Sequence, residues 1–547
     1  MYKLFRKTLA LTMVGAGLLT TGFVTSAFAA DVPAGTKLAT KQVLALQIGD
    51  NPATLDPNLT SENVGSQIIN NLFEGLTSYD AKGNLVPGVA ESWSHTPDNK
   101  TWIFKLRKDA KWSDGSPVTA KDFVASWQRL VDPKTASEYS FYLGDLGVKN
   151  AKAIADGKAP VSSLGVKAVD DYTLEVSLES AVPWFLEATS LADLAPIPSK
   201  LLAAGKWPNF SNLVSNGPYK LVQAIPNEKY TITKNPNYWD AKKTVITDVT
   251  FVVARSSNDA YKRFLAGDLD AFAIESPVLK ERLSKGKNDG FTVLSAPGSS
   301  MGFYTFNVAK APFNNEDVRR ALLLAVDTKE LQTKVFRNTL KATSVWASPA
   351  IKGVEKIKQS AYFNQPMPER IAQAKKLLTK AGYSESKPLT FTINYNTSDG
   401  NKQMAIALQA QFKTHLGKLV NVDLHNVEWS TFLSERKTGA YSFYRMGWGA
   451  DYYEPSTFYS IWTSTNPTNT GGYKSAEYDK LFDSLATTKT FDERIALYQK
   501  MNDLLNKNVV GIPLTTPVLM TAVKDGVRGY NVDDNVRRVF NMYIVAK

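Results

Sequence analysis

Stretches in which apolar side chains alternate with polar ones are interleaved along this chain with stretches that repeat every three to four residues, so strands and helices must share one fold. Leu389-Thr-Phe391-Thr-Ile393-Asn-Tyr395 points four apolar side chains to one face of a strand, and Leu174-Glu-Val176-Ser-Leu178 does so over a shorter run. Trp102-Ile-Phe104-Lys-Leu106 sets Trp, Phe and Leu on one side. Between them, Glu369 to Ala381 carries Ile371, Ala374, Leu378 and Ala381 on one stripe, opens after Pro368 and stops at Gly382, as a helix with a left-handed cap does. Glu316 to Asp327 and Thr490 to Asn506 predict further amphipathic helices. The mixture predicts an α/β or α+β architecture, without repeats or low-complexity tracts.

The beginning of the chain reads as an export leader. Lys3, Arg6 and Lys7 precede an apolar run from Thr8 to Val24, and Ala27-Phe28-Ala29 supplies the small residues of a cleavage site, so removal of residues 1–29 before Ala30 is expected. An uncleaved membrane anchor is the alternative, weakened by Gly15, Gly17, Thr20 and Thr21 within the run. The roughly 518 residues that follow suffice for two or three domains. No cysteine is present, which excludes disulfides, thiolate metal sites, thiol catalysis and a cysteine-linked lipid anchor. A free periplasmic protein fits this combination.

Lysine and arginine number 64 against 52 acids, a net charge of +12. The leader holds three of those positives, which leaves +9 for the rest. Runs such as Lys105-Leu-Arg107-Lys108 and Lys280-Glu-Arg282 are broken by apolar or acidic residues, so they read as solvated surface and not as a nucleic-acid interface. His95, His415 and His425 stand apart, with no zinc spacing, and no metal site is expected. No G-x-S-x-G, P-loop or dinucleotide fingerprint occurs. Carboxylate pairs are inevitable among 52 acids, which keeps a secreted glycosidase or murein-modifying enzyme open.

Arg445-Met-Gly-Trp-Gly-Ala-Asp451-Tyr-Tyr-Glu-Pro455 places a cation and an anion six residues apart among apolar and flexible neighbours. Together with Glu428-Trp429-x-Thr431-Phe432-Leu433 upstream, this run resembles the signature of the periplasmic oligopeptide-binding proteins of peptide ABC transporters, family 5 of the extracellular solute-binding proteins. The resemblance covers nearly the whole chain after the leader, through Leu55-Asp56-Pro57, Leu72-Phe73-Glu74-Gly75-Leu76, Val86 to Trp93, Trp112-Ser113-Asp114-Gly115, Asp122 to Trp127, Asn216-Gly217-Pro218-Tyr219, Tyr238-Trp239 and Asp317-Val318-Arg319.

It implies an α/β fold of the periplasmic binding protein type (class II, cluster C), with two lobes joined by a hinge and an additional inserted domain. Lobe I would comprise 30–75, 200–300 and 516–547, the inserted domain 76–199, and lobe II 301–515, with crossings near Ser300 and Thr515. The implied function is capture of short peptides by lobe closure and delivery to an inner-membrane ABC permease, by a monomer without cofactor or reaction. A sugar, a metal complex or haem in the same fold is a further alternative.

The resemblance also implies site residues. Asp451 would take the ligand's α-ammonium; Arg445 and Arg436 would take carboxylates, for which the planar guanidinium fork is suited. Trp429 and Tyr139 would flank the peptide. Main chain around Gly447, Gly449 and Ala450, and the segment Phe303 to Asn307, would bind its backbone as an added strand. The blander readings are an Asp451–Arg445 pair within one loop, surface or interdomain ion pairs for the arginines, and core packing for the aromatics.

Several positions depart from the family pattern. Ser61 and Thr305 stand at sites commonly acidic, Phe336 and Asn401 at sites commonly cationic, and Ser300 and Gly449 at paired cysteines. Thr305 in place of an acid would leave the two arginines less compensated, which favours a ligand with an internal carboxylate, such as a murein peptide of Ala, Glu and diaminopimelate.

Overall fold

The computed structural model describes residues 32–546, without 82, 287 and 533–537. The expected leader lies outside these. One sheet of twelve strands dominates: β1 (Val43–Ile48), β2 (Tyr219–Ile225), β3 (Lys229–Lys234), β4 (Asp248–Val253), β5 (Ala271–Ala273), β6 (Phe291–Pro297), β7 (Ser300–Phe306), β8 (Leu340–Ala342), β9 (Leu389–Asn396), β10 (Val420–Val427), β11 (Phe443–Gly449) and β12 (Gly511–Lys524). Their order is β10-β9-β11-β7-β12-β5-β1-β4-β3-β2, with β6 and β8 also on β12.

β12 joins the two halves. Its first residues pair with β7, as Gly511 with Thr305 and Thr515 with Gly302, and its last with β5 and β6, as Val523 with Ala271 and Lys524 with Phe291. The chain crosses again at the short link between β6 and β7, where the Gly298 N–H donates to the Pro517 carbonyl at 2.9 Å. A separate four-stranded antiparallel sheet, Ala90–His95, Thr101–Leu106, Thr173–Ser177 and Val166–Asp170 in that order, is backed by the helix Ala120–Val131.

The periodicities locate elements better than their ends. β9 buries Leu389, Phe391, Ile393 and Tyr395 as its alternation requires, and it also buries Asn394 and Asn396, because its last residues are covered on both faces. The helix expected from Glu369 runs Met367–Lys380, with Gly382 at φ 89° behind it. That expected over Glu316 to Asp327 ends at Leu324. The one expected from Thr490 is Phe491–Asn508, because Thr490 is its N-cap, in a capping box with Glu493. Among the described residues, no helix is long and apolar enough to cross a membrane.

Candidate functional site

Between the halves of the large sheet and the four-stranded unit lies a cavity of about 650 Å³. Its lining includes Ser61, Tyr139, Asn401, Trp429, Arg436, Arg445, Gly447, Gly449 and Asp451, so residues from distant parts of the sequence converge there.

β11 supplies the spine. From Arg445 to Gly449 it pairs with β7 along one edge; its contact with β9 on the other edge is confined to Tyr444 and Asn394. Beyond Tyr444 that second edge has no strand partner among the described residues, and an open edge accepts an added strand. Gly447 admits the Arg445 side chain: a Cβ there would stand 3.3 Å from Arg445 Nη2. At Gly449 a Cβ would meet Asn63 Oδ1 only at 3.9 Å, so this glycine leaves cavity space. Ser300 and Gly449 are direct partners in the β7–β11 register.

Asp451 follows β11 at the turn into the helix Ser456–Tyr459. Tyr139 donates its hydroxyl to Asp451 Oδ1 at 3.0 Å, and Thr457 donates to Oδ2 at 3.4 Å. Burial lifts this carboxyl to about 7 despite the two hydroxyl donors. The charges it acts on most nearly are acids, Asp193 and Asp145. No ion pair joins Asp451 to Arg445 or to another described cation, which removes the reading of an intra-loop pair.

At the other side stand the arginines. Burial lowers the pKa of both guanidiniums, and Arg436 lowers that of Arg445 further by repulsion. Neither forms an ion pair with a described acid; the acid whose charge reaches Arg436 is Glu138. Arg436 Nε is buried without an acceptor. Arg445 lies 6.0 Å from the Trp429 ring, which in turn stacks on Phe432. Tyr139 stacks on Trp448 at 6.4 Å, so it packs and donates at once.

Three sequence expectations need correction. Thr305 is not in the lining: the lining along β7 stops at Tyr304, and the Thr305 side chain is 1% exposed, packed at Gly471, with Oγ1 donating to the Val510 carbonyl at 3.1 Å. Its lack of charge therefore says nothing about compensation of the arginines. Nor is the backbone of Phe303 to Asn307 open to a ligand. Phe303 to Thr305 are paired on both edges, with β11 and β12, and the N–H groups of Phe306 and Asn307 bind Val510 and Ser442.

Of the remaining sites, Ser61 and Phe336 line the cavity, and Asn401 does so while donating to Asn396 Oδ1 at 2.9 Å. Sequence reasoning missed Thr60 and Asp193, and named Tyr304 only for its backbone, within Phe303 to Asn307. All three line the cavity, and Thr60 Oγ1, Asp193 Oδ1 and the Tyr304 hydroxyl are buried without partners. Other such atoms, Trp346 Nε1 and Arg370 Nε among them, lie away from the cavity, so these three gain meaning from facing a space that a ligand can enter. For Asp193 a signal was available: it is the lone acid within Leu191-Ala-Asp-Leu-Ala-Pro-Ile197. Among the described residues, no cluster of His, Asp or Glu could hold a metal ion.

Comparison with known proteins agrees with this geometry. OppA of Haemophilus influenzae, solved in complex with RPPGFSPFR, is 38% identical and superposes with a TM-score of 0.88, covering 93% of this chain and 100% of that one. The murein tripeptide binding protein MppA of Escherichia coli is 37% identical, with a TM-score of 0.89 over 94% of this chain and 100% of that one. Its unliganded open form, at the same identity and 94% and 99% coverage, reaches 0.69. The halves here are thus arranged as in the first MppA form and not as in the open one. The probable deoxycholate-binding periplasmic protein YgiS of E. coli is 38% identical over 95% of this chain and 96% of its own, so similarity at this level does not select the ligand. The fold is the two-lobed, hinged α/β fold of periplasmic binding proteins with an inserted domain, in agreement with the sequence. With residues 84–470 matching the bacterial extracellular solute-binding proteins, family 5 Middle, and these relatives aligned almost end to end, the chain belongs to the family 5 extracellular solute-binding proteins.

Proposed function

We propose that this protein is a periplasmic receptor that closes on a short extended peptide and delivers it, unchanged, to an inner-membrane ABC permease. The observation that carries the reading is charge without an ion pair around one cavity: among the described residues, Asp451 forms none with a cation, and Arg445 on β11 and Arg436 on the helix Trp429–Lys437 form none with an acid. A zwitterion laid along the open edge of β11 neutralises both. The Arg445 guanidinium curls over Gly447, four residues before Asp451, a span of about 13 Å of extended chain. An extended tripeptide or tetrapeptide has a comparable reach of roughly 10–14 Å. A neutral sugar or an acidic sterol would leave Asp451 buried and uncompensated, a cost of several kcal/mol.

Lobe I is assigned to 30–75, 200–300 and 516–547, the inserted domain to 76–199 and lobe II to 301–515, so that one boundary falls inside β12. Removal of the leader before Ala30 and a monomeric state complete the reading. The test is native mass spectrometry of chain purified without denaturation, followed by calorimetry with free and amino-acetylated tripeptides. A stoichiometric complex with free peptides supports the receptor; turnover of the ligand, or equal binding of acetylated peptides, overturns it.

Two neighbouring guanidiniums that form no ion pair with a described acid also favour a ligand with two carboxylates. A murein tripeptide offers both. Neutral tripeptides bound as tightly as murein tripeptide would exclude that subtype.

A further inference from the structure

Asp193 is a second acid in the wall of the cavity, and the receptor reading gives it no task. It sits in the turn Ala192–Leu194, is 4% exposed, and lines the cavity with Ser190, Leu191 and Ala192 beside Thr60 and Ser61. Its Oδ1 is buried with no hydrogen-bond partner, and Thr60 Oγ1, in the same lining, is equally without one. Asn58, which could have served it, spends its amide on Ser126 Oγ and on the Asp193 main-chain carbonyl.

The charges around Asp193 compound the deficit. The acids that act on it are Asp451 and Asp56. Asp56 is already matched by Arg129, through contacts of 2.9 and 2.7 Å. Asp451 keeps two hydroxyl donors but no cation. Tyr139, which donates to Asp451, also feels the charge of Asp193, so the two carboxyls share one neighbourhood. Burial first, and the charge of Asp451 next, push the Asp193 carboxyl well above its ordinary range, so it holds its proton until a cation enters, and a single α-ammonium ionises only one of the two acids.

Building on the peptide-receptor reading, we propose that Asp193 is a specificity residue that accepts the cationic side chain of the ligand's first residue, while Asp451 holds its α-ammonium. The substrate class this selects is short peptides that begin with a basic amino acid. Thr60 Oγ1, a hydroxyl with acceptor capacity, supplies a further hydrogen bond to that side chain.

The probes are Lys-Ala-Ala and norleucine-Ala-Ala, which share a side-chain stem and differ in its charge, titrated calorimetrically into the wild-type chain and the Asp193→Asn variant. Wild type is expected to favour the lysine peptide by about tenfold or more, and Asp193→Asn to reduce the ratio to within about twofold while norleucine-Ala-Ala binds as before. No preference in wild type, a preference that survives in Asp193→Asn, or equal weakening of both peptides each overturns the assignment. Should Asp193→Asn fail to fold, the wild-type ratio and the Thr60→Val variant, expected to narrow it, decide alone. If wild type binds neither peptide, the receptor reading itself has failed, an outcome distinct from binding without preference.

Discussion

Asp451 and Glu454 lie three residues apart in one loop, and the structure treats them in opposite ways. Glu454 is saturated: Tyr498 donates to both of its oxygens at 2.8 Å, Arg494 Nε adds a charged contact at 3.1 Å, and the Ser456 N–H a further bond at 2.8 Å. Asp451 receives two neutral hydroxyls and no cation. The arginines divide likewise. Arg319 places Nε, Nη1 and Nη2 on the carbonyls of Val509, Phe313 and Asn508 at 2.8–2.9 Å, whereas Arg436 and Arg445 form no ion pair with a described acid and Arg436 Nε has no acceptor. Unmatched polar atoms also occur away from the cavity, as at Arg370 Nε, so what sets Asp451, Arg436 and Arg445 apart is that their unmatched charge faces a space a ligand can enter.

The sharpest way to break this contrast is to remove each acid. Asp451→Ala is expected to weaken free-amino tripeptides by about a hundredfold or more, roughly 3 kcal/mol, with the denaturation midpoint of the empty protein unchanged. Glu454→Ala is expected to lose about 3–5 kcal/mol of stability in urea denaturation, because Arg494 is left buried and unpaired. Exchange of these outcomes would invert the comparison. Among the cations, Arg445→Met is expected to cost about 2–3 kcal/mol of affinity for peptides with a free carboxylate and nothing in stability, while Arg319→Met costs a similar amount of stability and no affinity.

Acidity sharpens it further. The Asp451 carboxyl in the empty cavity is raised to about 7 by burial, and a bound ammonium favours its ionised form and lowers that value. Binding therefore releases a proton at and below neutrality. Affinity for free-amino peptides is expected to fall by about tenfold per pH unit below 7 and to level off above it. Calorimetry from pH 5 to 8 in buffers of different ionisation enthalpy reads both effects. Amino-acetylated ligands should lack the slope, as should Asp451→Asn. The smallest change is expected from Thr305→Val, about 1 kcal/mol of stability through loss of the bond to Val510, with peptide affinity unaltered.

What could be read from the sequence follows from what sequence encodes locally. Alternation in Leu389 to Tyr395 and capping at Thr490 are decided by neighbours in the chain, and both elements stand where they were expected, within a residue or two. The convergence of Tyr139, Trp429 and Asp451 on one cavity was legible only through resemblance, since contacts across about 300 residues leave no periodic trace. Thr305 failed because a residue's number along a strand does not say how far the cavity reaches; its lining along β7 ends at Tyr304, one residue short. The backbone of Phe303 to Asn307 failed for a related reason: whether a strand has a free edge depends on its partners, here β11 and β12. Asp193 was overlooked although it is a lone acid in an apolar run, because such a run does not say which cavity it borders; that comes from the fold.

β12 passes from one half of the large sheet to the other without a break, hydrogen-bonded on both sides of the crossing. A pair of bodies tied by a loose tether could adopt many mutual orientations, but a shared pleated ribbon twists far more easily than it stretches or shears. Motion between the halves is thereby reduced to little more than one angle. A membrane partner inspecting the outside of such a molecule needs to sense that angle alone: the ribbon turns occupancy of a sealed interior into a shape that can be read at the surface, so an empty receptor need not compete with a loaded one.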